Sequence, residues 1–265
     1  MMIKILFIGE IIGIPSVKAI KRNLKKIITE NKIDVCIANA DGASDGYGLL
    51  ADTAYQLNNA GIDVITSGDY IFNKKDIKEF LSKSGFILRP YNLPKDTPGR
   101  GYLFYQMQNG TQLAIISLLG RTNFNKIFPN DPFFTVDKLL EKVKEVTNNI
   151  VVDFHGGTTS EIQSMQWYLA GKVSFVAGTH LRVLTSDNRI IEDGTAVITG
   201  TGFCGGHYSV SGLSPETEIK KIKTGQFVYS KVSDEKITIQ GTIVEIDETT
   251  GKATSIELFN KLLEE

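Results

Sequence analysis

Several apolar runs in this chain end in a polar residue beside a glycine or a turn. The run 175–179 ends in Gly178-Thr179 and is followed by His180, and the run 150–154 leads directly into His155. This pattern is typical of a buried strand in an open α/β sheet, where the loop after the strand carries a functional side chain. The chain has three histidines, so two of them at strand ends favour an α/β enzyme fold over a chance placement.

Helical patterns alternate with these strands. Further buried strands are predicted at residues 3–9, 34–38 and 62–66, and each is followed by turn residues. Helices are predicted at residues 16–31, with Ser16 as the N-cap, and at 50–60, 74–82, 136–146, 158–169 and 215–223.

The middle and the tail of the chain show antiparallel patterns. Residues 102–107 and 112–118 flank Asn109-Gly110 and predict a hairpin, because this dipeptide favours positive φ. Residues 226–258 alternate apolar and polar side chains, which predicts a meander that completes a second sheet. Since no linker rich in Pro, Gly or Ser separates these regions, we expect a single domain over residues 1–265.

The bulk composition excludes some classes of function. The chain has 265 residues with 29 basic and 30 acidic side chains, so its net charge of −1 argues against a binder of duplex nucleic acid. No apolar run reaches the length of about 18 residues needed for a membrane span, and no signal peptide is visible. The two cysteines, Cys36 and Cys204, lie far apart, and a reducing cytoplasm is the expected location.

Polar residues at the strand ends form a candidate metal site. Strand ends in an open α/β sheet converge on one crevice. Three carboxylates and two imidazoles meeting there would suit a divalent metal such as Mn, Fe or Zn. A single Asp at a loop is more often a turn former, so the hypothesis depends on the whole set: Glu10, Asp41, Asp69, His155 and His180.

Longer motifs give the chain a family resemblance from about residue 3 to residue 258. It resembles the YmdB-like 2′,3′-cyclic nucleotide phosphodiesterases, a bacterial branch of the calcineurin-like metallophosphoesterases. The resemblance implies a four-layer α/β/β/α sandwich with mixed sheets, antiparallel C-terminal strands and a two-metal phosphodiesterase site at the sheet edges. The matching stretches include Ile5-Leu6-Phe7-Ile8-Gly9, Gly46-Tyr47-Gly48-Leu49, Asp63-Val64-Ile65-Thr66, Arg89-Pro90-Tyr91-Asn92, Thr97-Pro98-Gly99-Arg100-Gly101, Asp131-Pro132-Phe133, Val152-Asp153-Phe154-His155, Thr159-Ser160-Glu161, Gly178-Thr179-His180 and Asp187-Asn188-Arg189.

Departures from the family pattern fall almost entirely on the site. The family has Asp where this chain has Glu10, Gly-Glu-Asn at residues 40–42, Gly-Asn-His at residues 68–70, and His-x-His at residues 180–182. Of eight positions, His155 and His180 are unchanged. Three others keep an oxygen ligand: Glu10, Asp41 and Asp69.

Three substitutions remove the family roles. Gly42 has no side chain to contact phosphate. Tyr70, with an unperturbed pKa of about 10, is a poor acid–base group at neutral pH. Arg182 is a permanent cation that cannot coordinate a metal, and it could pair with Glu10 or Asp41 where one metal would lie.

The resemblance therefore implies at most one well-formed site for Mn, Fe, Mg or Zn, and no bound metal is an open alternative. The ligands left at the second position are Asp41, Asp69, His155 and His180. Asn39 and Gly42 are candidate ligand-binding positions, with Asn39 as a substitute acceptor. The glycine-rich loop 199–208 is either a flexible turn or a phosphate-binding loop in which His207 replaces a lost histidine.

Two main hypotheses about function stay open, and a third, a structural or interaction protein whose site is a relic, is disfavoured because Glu10, Asp41 and Asp69 keep charge at ligand positions. One is a weak, altered or one-metal phosphodiesterase that uses Asp41, with Tyr70 and Arg182 as further catalytic candidates and Arg182 as a charge replacement. The other is an inactive pseudoenzyme that binds a nucleotide, a phosphate ligand or a protein partner. The expected small-molecule partner is a phosphodiester or nucleotide, and family analogy suggests a homo-oligomer.

Overall fold

The computed structural model describes residues 1–263, which build two sheets stacked face to face between two layers of helices. The first sheet has the strand order β2-β11-β12-β1-β3-β4, with β13 paired to β12. Its strands are β1 (Met2–Ile8), β2 (Glu10–Ile11), β3 (Val35–Asn39), β4 (Val64–Thr66), β11 (Phe203–Gly206), β12 (Ile237–Asp247) and β13 (Ala253–Leu262).

The second sheet has the order β5-β6-β7-β8-β10-β9. Its strands are β5 (Tyr102–Gln106), β6 (Gln112–Leu119), β7 (Ile150–His155), β8 (Phe175–Thr179), β9 (Arg189–Ile191) and β10 (Thr195–Ile198). The helices are α1 (Gly13–Asn31), α2 (Ala51–Ala60), α3 (Ile77–Lys83), α4 (Pro132–Val143), α5 (Thr159–Tyr168) and α6 (Pro215–Thr224), with a short 3₁₀ turn at Glu192–Gly194.

Three apolar clusters fill the spaces between the four layers. One lies between the first sheet and helices α1 to α3, and another between the second sheet and helices α4 and α5. The central cluster joins the two sheets, where Phe7 of β1 meets Phe175 of β8 edge to face at a centroid distance of 5.9 Å. The expected α/β/β/α sandwich with mixed sheets is therefore confirmed.

Helix α1 shows how the local sequence produces these layers. Val17, Ile20, Leu24 and Ile27 recur at helical spacing and are buried against the first sheet. The prediction that Ser16 caps this helix was wrong, because the helix begins at Gly13 and the Ser16 hydroxyl donates to the Ile12 carbonyl at 2.6 Å.

No helix in residues 1–263 is long and apolar enough to cross a bilayer.

The C-terminal strands are antiparallel as expected, but they belong to the first sheet rather than a second one. β12 pairs with β1 from Met2↔Asp247 to Ile8↔Gly241, and β13 covers its other edge. Residues 227–229, expected in the meander, lie outside the strands, and Phe227 is 82% exposed. Alternation identifies a strand, yet it carries no information about which sheet edge the strand will join.

Candidate metal centre

Both sheets present their strand ends to the same crevice. Glu10 follows β1, Asp41 follows β3 and Asp69 follows β4 in the first sheet. His155 ends β7 and His180 follows β8 in the second sheet. The structure brings these five predicted residues together, because the strands that precede them are parallel within each sheet and the two sheets are stacked.

His155 lies at the centre of the group and is fully buried. Its Nε2 atom is 3.2 Å from Asp69 Oδ1, 3.1 Å from His180 Nδ1 and 3.8 Å from Asp41 Oδ2. A Cβ atom at Gly68 would lie 2.2 Å from this nitrogen, so only glycine fits at that position. The loops after β3, β4 and β8 thus meet at one imidazole nitrogen, which β7 provides.

Asp41 is held in place by the backbone of the loop after β4. Its Oδ1 accepts from the Gly68 amide at 2.7 Å, and its Oδ2 accepts from the Tyr70 amide at 2.9 Å. Burial raises the pKa of Asp41 to about 7, with Asp69 and Glu10 also raising it and His155 acting against them. These two backbone bonds orient the carboxylate towards His155.

Left-handed backbone conformations mark the loop after β8. His180 has φ of 82° and Arg182 has φ of 53°, which is uncommon for residues other than glycine. Such conformations persist where the surrounding structure enforces them, often at functional sites. They direct both side chains of this loop into the crevice.

The Arg182 side chain forms a buried ion pair with Glu10. Its Nη2 donates to Glu10 Oε1 at 2.7 Å and to the Gly46 carbonyl at 3.2 Å. The two side chains are 10% and 1% exposed. Burial alone would lower the pKa of Arg182, but the Glu10 carboxylate outweighs it and raises the pKa above its usual value. The predicted pairing of Arg182 is therefore confirmed with Glu10 as its partner.

The potential ligand atoms form two groups, in each of which all atoms lie within 4.8 Å of one another. The first group is Glu10, His155 and His180, and the second is Asp41, Asp69 and His155. Two carboxylates and an imidazole suit a divalent ion such as Mn, Fe, Mg or Zn. Glu10 Oε2 is also buried without a hydrogen-bond partner among the described residues. The donor set therefore fits a metal ion.

The two histidines have opposite pKa shifts. Burial opposes the charge on His155, but its hydrogen bond to Asp69 and the charges of Asp41 and Glu10 raise its pKa to about 9. Burial and the neighbouring His155 lower the pKa of His180 to about 4. In the absence of metal, the crevice thus holds a charged His155 beside a neutral His180.

Asp69 and Tyr70 have opposite pKa shifts. Burial would raise the pKa of Asp69, but the hydrogen bond and charge of His155 hold it below its usual value. Burial and the adjacent Asp69 raise the pKa of Tyr70 to about 12. The Tyr70 hydroxyl therefore stays protonated at neutral pH.

The remaining candidate positions, Gly42, Asn39 and His207, have different surroundings. Gly42 packs so closely that a Cβ would be 2.7 Å from Ile12 Cδ1 and 2.9 Å from Glu10 Oε1. Asn39 is buried, and its Nδ2 donates to Asp153 Oδ2 at 2.9 Å, behind His155. His207 is exposed and packs edge to face on Tyr208.

Sequence reasoning missed three residues that surround His155. Phe124 stacks on the His155 ring at 6.0 Å, while Asp153 and Thr179 form a buried hydrogen-bonded pair beside it. Asp153 could have been found, because a carboxylate in an apolar strand two residues before His155 points to the same face. Phe124 lies in an irregular segment whose sequence carries no comparable signal.

Comparisons with known proteins agree with this architecture. A family model described as YmdB-like protein matches residues 6–259. A 2′,3′-cyclic-nucleotide 2′-phosphodiesterase of Bacillus subtilis (strain 168) is 39% identical over 254 residues, which cover 96% of this chain and 95% of that protein.

Two solved structures have the same fold over nearly their whole length. A novel phosphatase from Mycoplasma pneumoniae has a TM-score of 0.92 at 29% identity and covers 99% of this chain and 94% of its own. A hypothetical protein from Thermus thermophilus has a TM-score of 0.90 at 29% identity, covering 98% and 99%. With a family model that spans nearly the whole sequence, a related enzyme and the sandwich fold in agreement, this chain belongs to the YmdB-like family.

Proposed function

We propose that this protein binds one divalent metal ion and a phosphodiester of the 2′,3′-cyclic nucleotide class, and hydrolyses that ester slowly. One observation carries the proposal: both potential ligand groups include His155, whose Nε2 atom lies 3.2 Å from Asp69 Oδ1 and 3.1 Å from His180 Nδ1. An imidazole nitrogen has one lone pair and binds one metal ion. Carboxylates bridge two metals readily, but the residue shared here is a histidine, so the geometry supports one ion.

The charge distribution favours the second group, Asp41, Asp69 and His155. Glu10 is already paired with Arg182, whose fixed positive charge repels a divalent ion near the first group. His180 Nδ1 lies 3.7 Å from Asp69 Oδ1 and could complete the ligand set. An ion bound here would act as a Lewis acid on a phosphoryl oxygen.

Arg182 is suited to supply the second positive charge of the site. Both of its hydrogen bonds use Nη2, so within residues 1–263 Nη1 and Nε are left to donate to an anion. The side chain is 10% exposed. Guanidinium groups bind phosphate through paired donors, so we assign Arg182 to the phosphate oxygens.

Proton transfer is the weak point of this site, and it is the reason we expect slow turnover. Tyr70 occupies the position of the family's acid, but with a pKa of about 12 it can donate a hydrogen bond and cannot act as a base at neutral pH. Asp41 has a pKa of about 7 in the metal-free protein, but as a metal ligand it would be ionised and could not donate a proton. A positioned acid or base typically accelerates a reaction by about 10²–10⁴-fold. Its absence should therefore slow hydrolysis by no more than this factor.

The same substitutions support a second candidate, a protein that binds the ligand without hydrolysing it. Gly42 offers no side chain to the phosphate, and the close contacts around it leave little space for one. In this case Arg182 and the single metal would still hold a nucleotide. The two candidates differ only in turnover, so one set of measurements separates them.

The test combines metal content, ligand binding and hydrolysis in the purified protein. After Mn²⁺ loading, elemental mass spectrometry should give about one equivalent of metal per chain, and Asp69→Ala should lose most of it because a ligand oxygen is removed. Hydrolysis of 2′,3′-cyclic AMP by wild type above the level of Asp69→Ala supports the enzyme. Calorimetric binding without hydrolysis supports the second candidate, and the absence of both metal and nucleotide binding contradicts the proposal.

Arg182→His is the matched gain-of-ligand variant. It removes the cation beside Glu10 and adds an imidazole that can replace His155 in the first group, so metal content should rise above one equivalent. Adding Gly42→Asn, which introduces the family's residue, would make the result harder to interpret, because the new side chain would displace Ile12 or Glu10. The single variant therefore gives the clearer readout. An unchanged metal content in Arg182→His would contradict the role given to the guanidinium.

A further inference from the structure

The segment that follows β6, residues 120–124, holds an aromatic ring against both histidines of the crevice. The Phe124 ring stacks on His155 at a centroid distance of 6.0 Å and meets His180 edge to face at 5.0 Å. Phe124 is 9% exposed, whereas the three residues before it are exposed. A segment with so few buried contacts of its own needs an anchor to keep one side chain in place.

The carboxylate of Glu161 in α5 provides this anchor. Its Oε1 accepts from the Arg121 amide at 2.6 Å and from the Thr122 amide at 3.2 Å. Its Oε2 accepts from the Gly157 amide at 3.3 Å. One charged group thus joins the segment after β6 to the loop after β7. Hydrogen bonds to a charged acceptor are stronger than those between neutral groups.

Helix capping alone does not account for these bonds. Glu161 ends the Thr159-Ser160-Glu161 motif at the start of α5, and Thr158 Oγ1 accepts from its amide at 3.3 Å. In a capping box the glutamate side chain returns to the amide of the N-cap residue. Here the carboxylate reaches the preceding residue, Gly157, and two amides of the segment after β6. The motif that contributed to the family resemblance therefore joins two loops beside the crevice.

Two glycines allow these loops to approach each other closely. A Cβ atom at Gly120 would collide with Glu161 Oε2, and one at Gly157 would collide with the Thr122 carbonyl oxygen. Asn123 adds a further contact, because its Nδ2 donates to the Gly157 carbonyl at 3.3 Å. The contact between the loops is therefore close and specific.

The geometry points to Glu161 as a positioning residue that fixes segment 120–124 so that Phe124 covers the rings of His155 and His180. An apolar ring in contact with two imidazoles restricts their rotation and limits the access of water to them. This inference deepens the proposed one-metal site, and it rests on that site only for its effect on metal affinity.

Four variants separate this role from a general loss of stability. Glu161→Ala removes the anchor, and Glu161→Gln keeps one carbonyl oxygen for the Arg121 and Thr122 amides. Phe124→Leu removes the ring and defines the state without it. Thr158→Ala is the matched control, because it removes the cap of α5 and leaves the Glu161 carboxylate in place.

The first measurement uses the histidine rings as probes in metal-free protein at a fixed pH. The chain has three histidines, so their ¹H–¹³C spectrum is simple. His155 and His180 contact Phe124 and should respond to the ring current of its side chain. His207 packs on Tyr208 and serves as the internal reference.

Loss of the anchor should reproduce loss of the ring. In Glu161→Ala the signals of both crevice histidines should move towards their positions in Phe124→Leu. The displacement should be smaller in Glu161→Gln and absent in Thr158→Ala. Unchanged signals in Glu161→Ala, or an equal displacement in Thr158→Ala, would overturn the inference. If Glu161→Ala does not fold, the same signals in Glu161→Gln decide the question.

The second measurement is limited trypsin digestion of the metal-free protein, with the cleavage sites identified by mass spectrometry. Arg121 and Lys126 are exposed and flank Phe124. Cleavage of a segment that must open locally follows the population of its open form. Glu161→Ala should therefore be cut after these residues at least about tenfold faster than wild type, and Thr158→Ala within about threefold of it. Equal cleavage of wild type and Glu161→Ala would contradict the anchor.

The third measurement is Mn²⁺ affinity, followed by electron paramagnetic resonance. Groups that orient metal ligands from behind typically contribute about 10–100-fold to affinity. We expect a loss of this size in Glu161→Ala and Phe124→Leu, and an affinity within about threefold of wild type in Thr158→Ala. Unchanged affinity in the first two variants would overturn the role of Phe124 at the site.

Failure of the proposed function gives a different result. If wild type binds no Mn²⁺, the one-metal proposal is wrong. The histidine signals and the tryptic cleavage are measured without metal, so they still decide whether Glu161 anchors Phe124.

Discussion

Single residues decide the chemistry of this crevice, and His155 decides most of it. Its Nε2 atom contacts Asp69 and His180 and lies close to Asp41. The position of each neighbour is set by its own backbone or hydrogen bonds, as Asp41 shows with its two amide donors. The competition between a proton and a metal ion for this nitrogen has a measurable consequence.

Metal affinity should fall as the pH is lowered from 9 to 6. In the metal-free protein the pKa of His155 is raised to about 9, so below this pH a proton must leave before metal binds. The pKa of Asp41, raised to about 7, adds a second competing proton at lower pH. Affinity should therefore drop about tenfold per pH unit above pH 7 and more steeply below it. Mn²⁺ titrations followed by electron paramagnetic resonance would measure this, and a flat profile would contradict the assignment.

Breaking the Arg182–Glu10 pair should destabilise the protein. Arg182→Met leaves the Glu10 carboxylate buried and unpaired, and removal of one partner of a buried pair typically costs about 3–5 kcal/mol. The double variant Glu10→Gln/Arg182→Met should recover much of this loss, because no buried charge is left. Urea denaturation gives both free energies of unfolding, and Lys83→Met, from an exposed pair with Glu79, should leave stability almost unchanged.

The polar side chains with a structural or functional role lie mainly at the ends of helices and strands. Helix α4 is a clear example, since its N-cap Asp131 accepts from the backbone amides of Phe133 and Phe134 at 2.9 Å and 3.0 Å. Pro132 follows at the first helical position, where its missing N–H costs nothing. The Asp131-Pro132-Phe133 motif that contributed to the family resemblance therefore has a local physical role.

Replacement of this cap gives a prediction at the scale of the element. Asp131→Ala should lower the free energy of unfolding by about 1 kcal/mol, because two amides lose their acceptor. Asp131→Asn should retain most of the stability, since an amide oxygen caps nearly as well. Arg121→Ala controls for the ion pair that Asp131 also makes. A loss in Asp131→Asn equal to that in Asp131→Ala would show that charge rather than capping is responsible.

The whole molecule depends on the contact between its two sheets. Apolar side chains of both sheets share one central cluster, and the metal candidates are drawn from both sheets at its edge. A change in the packing of one sheet on the other would therefore move His155 and His180 relative to the three carboxylates. The single domain over residues 1–265, the homo-oligomer and the cytoplasmic location stay predictions.

Truncation of the inter-sheet core tests this dependence. Phe175→Ala should lower the free energy of unfolding by about 3–5 kcal/mol, because a fully buried ring that packs on Phe7 is removed. Phe128→Ala, at a ring 81% exposed, should have little effect. If the chain is a single domain, far-UV circular dichroism and Trp167 fluorescence should report one transition. Separate transitions would indicate two units.

Much of the element order and the location of the site could be predicted from the sequence, because both depend on local patterns, whereas the four-layer sandwich was implied by the family resemblance. Apolar runs that end in a polar residue identify the strands at Glu10, Asp41 and His155, and these residues do meet in one crevice. The start of α1 and the sheet joined by β12 were predicted wrongly. Capping and edge pairing depend on neighbours that are distant in sequence, and no local pattern specifies them.

The sequence by itself determined which donor types are present and that a cation, Arg182, replaces a possible ligand. Only the tertiary structure decided how they combine. Arg182 pairs with Glu10 across 172 positions of the chain, and His155 belongs to both ligand groups. The physical reason is that these contacts arise where two separately formed sheets pack together. Distances of about 3 Å between such sheets are set by the whole core rather than by any local segment.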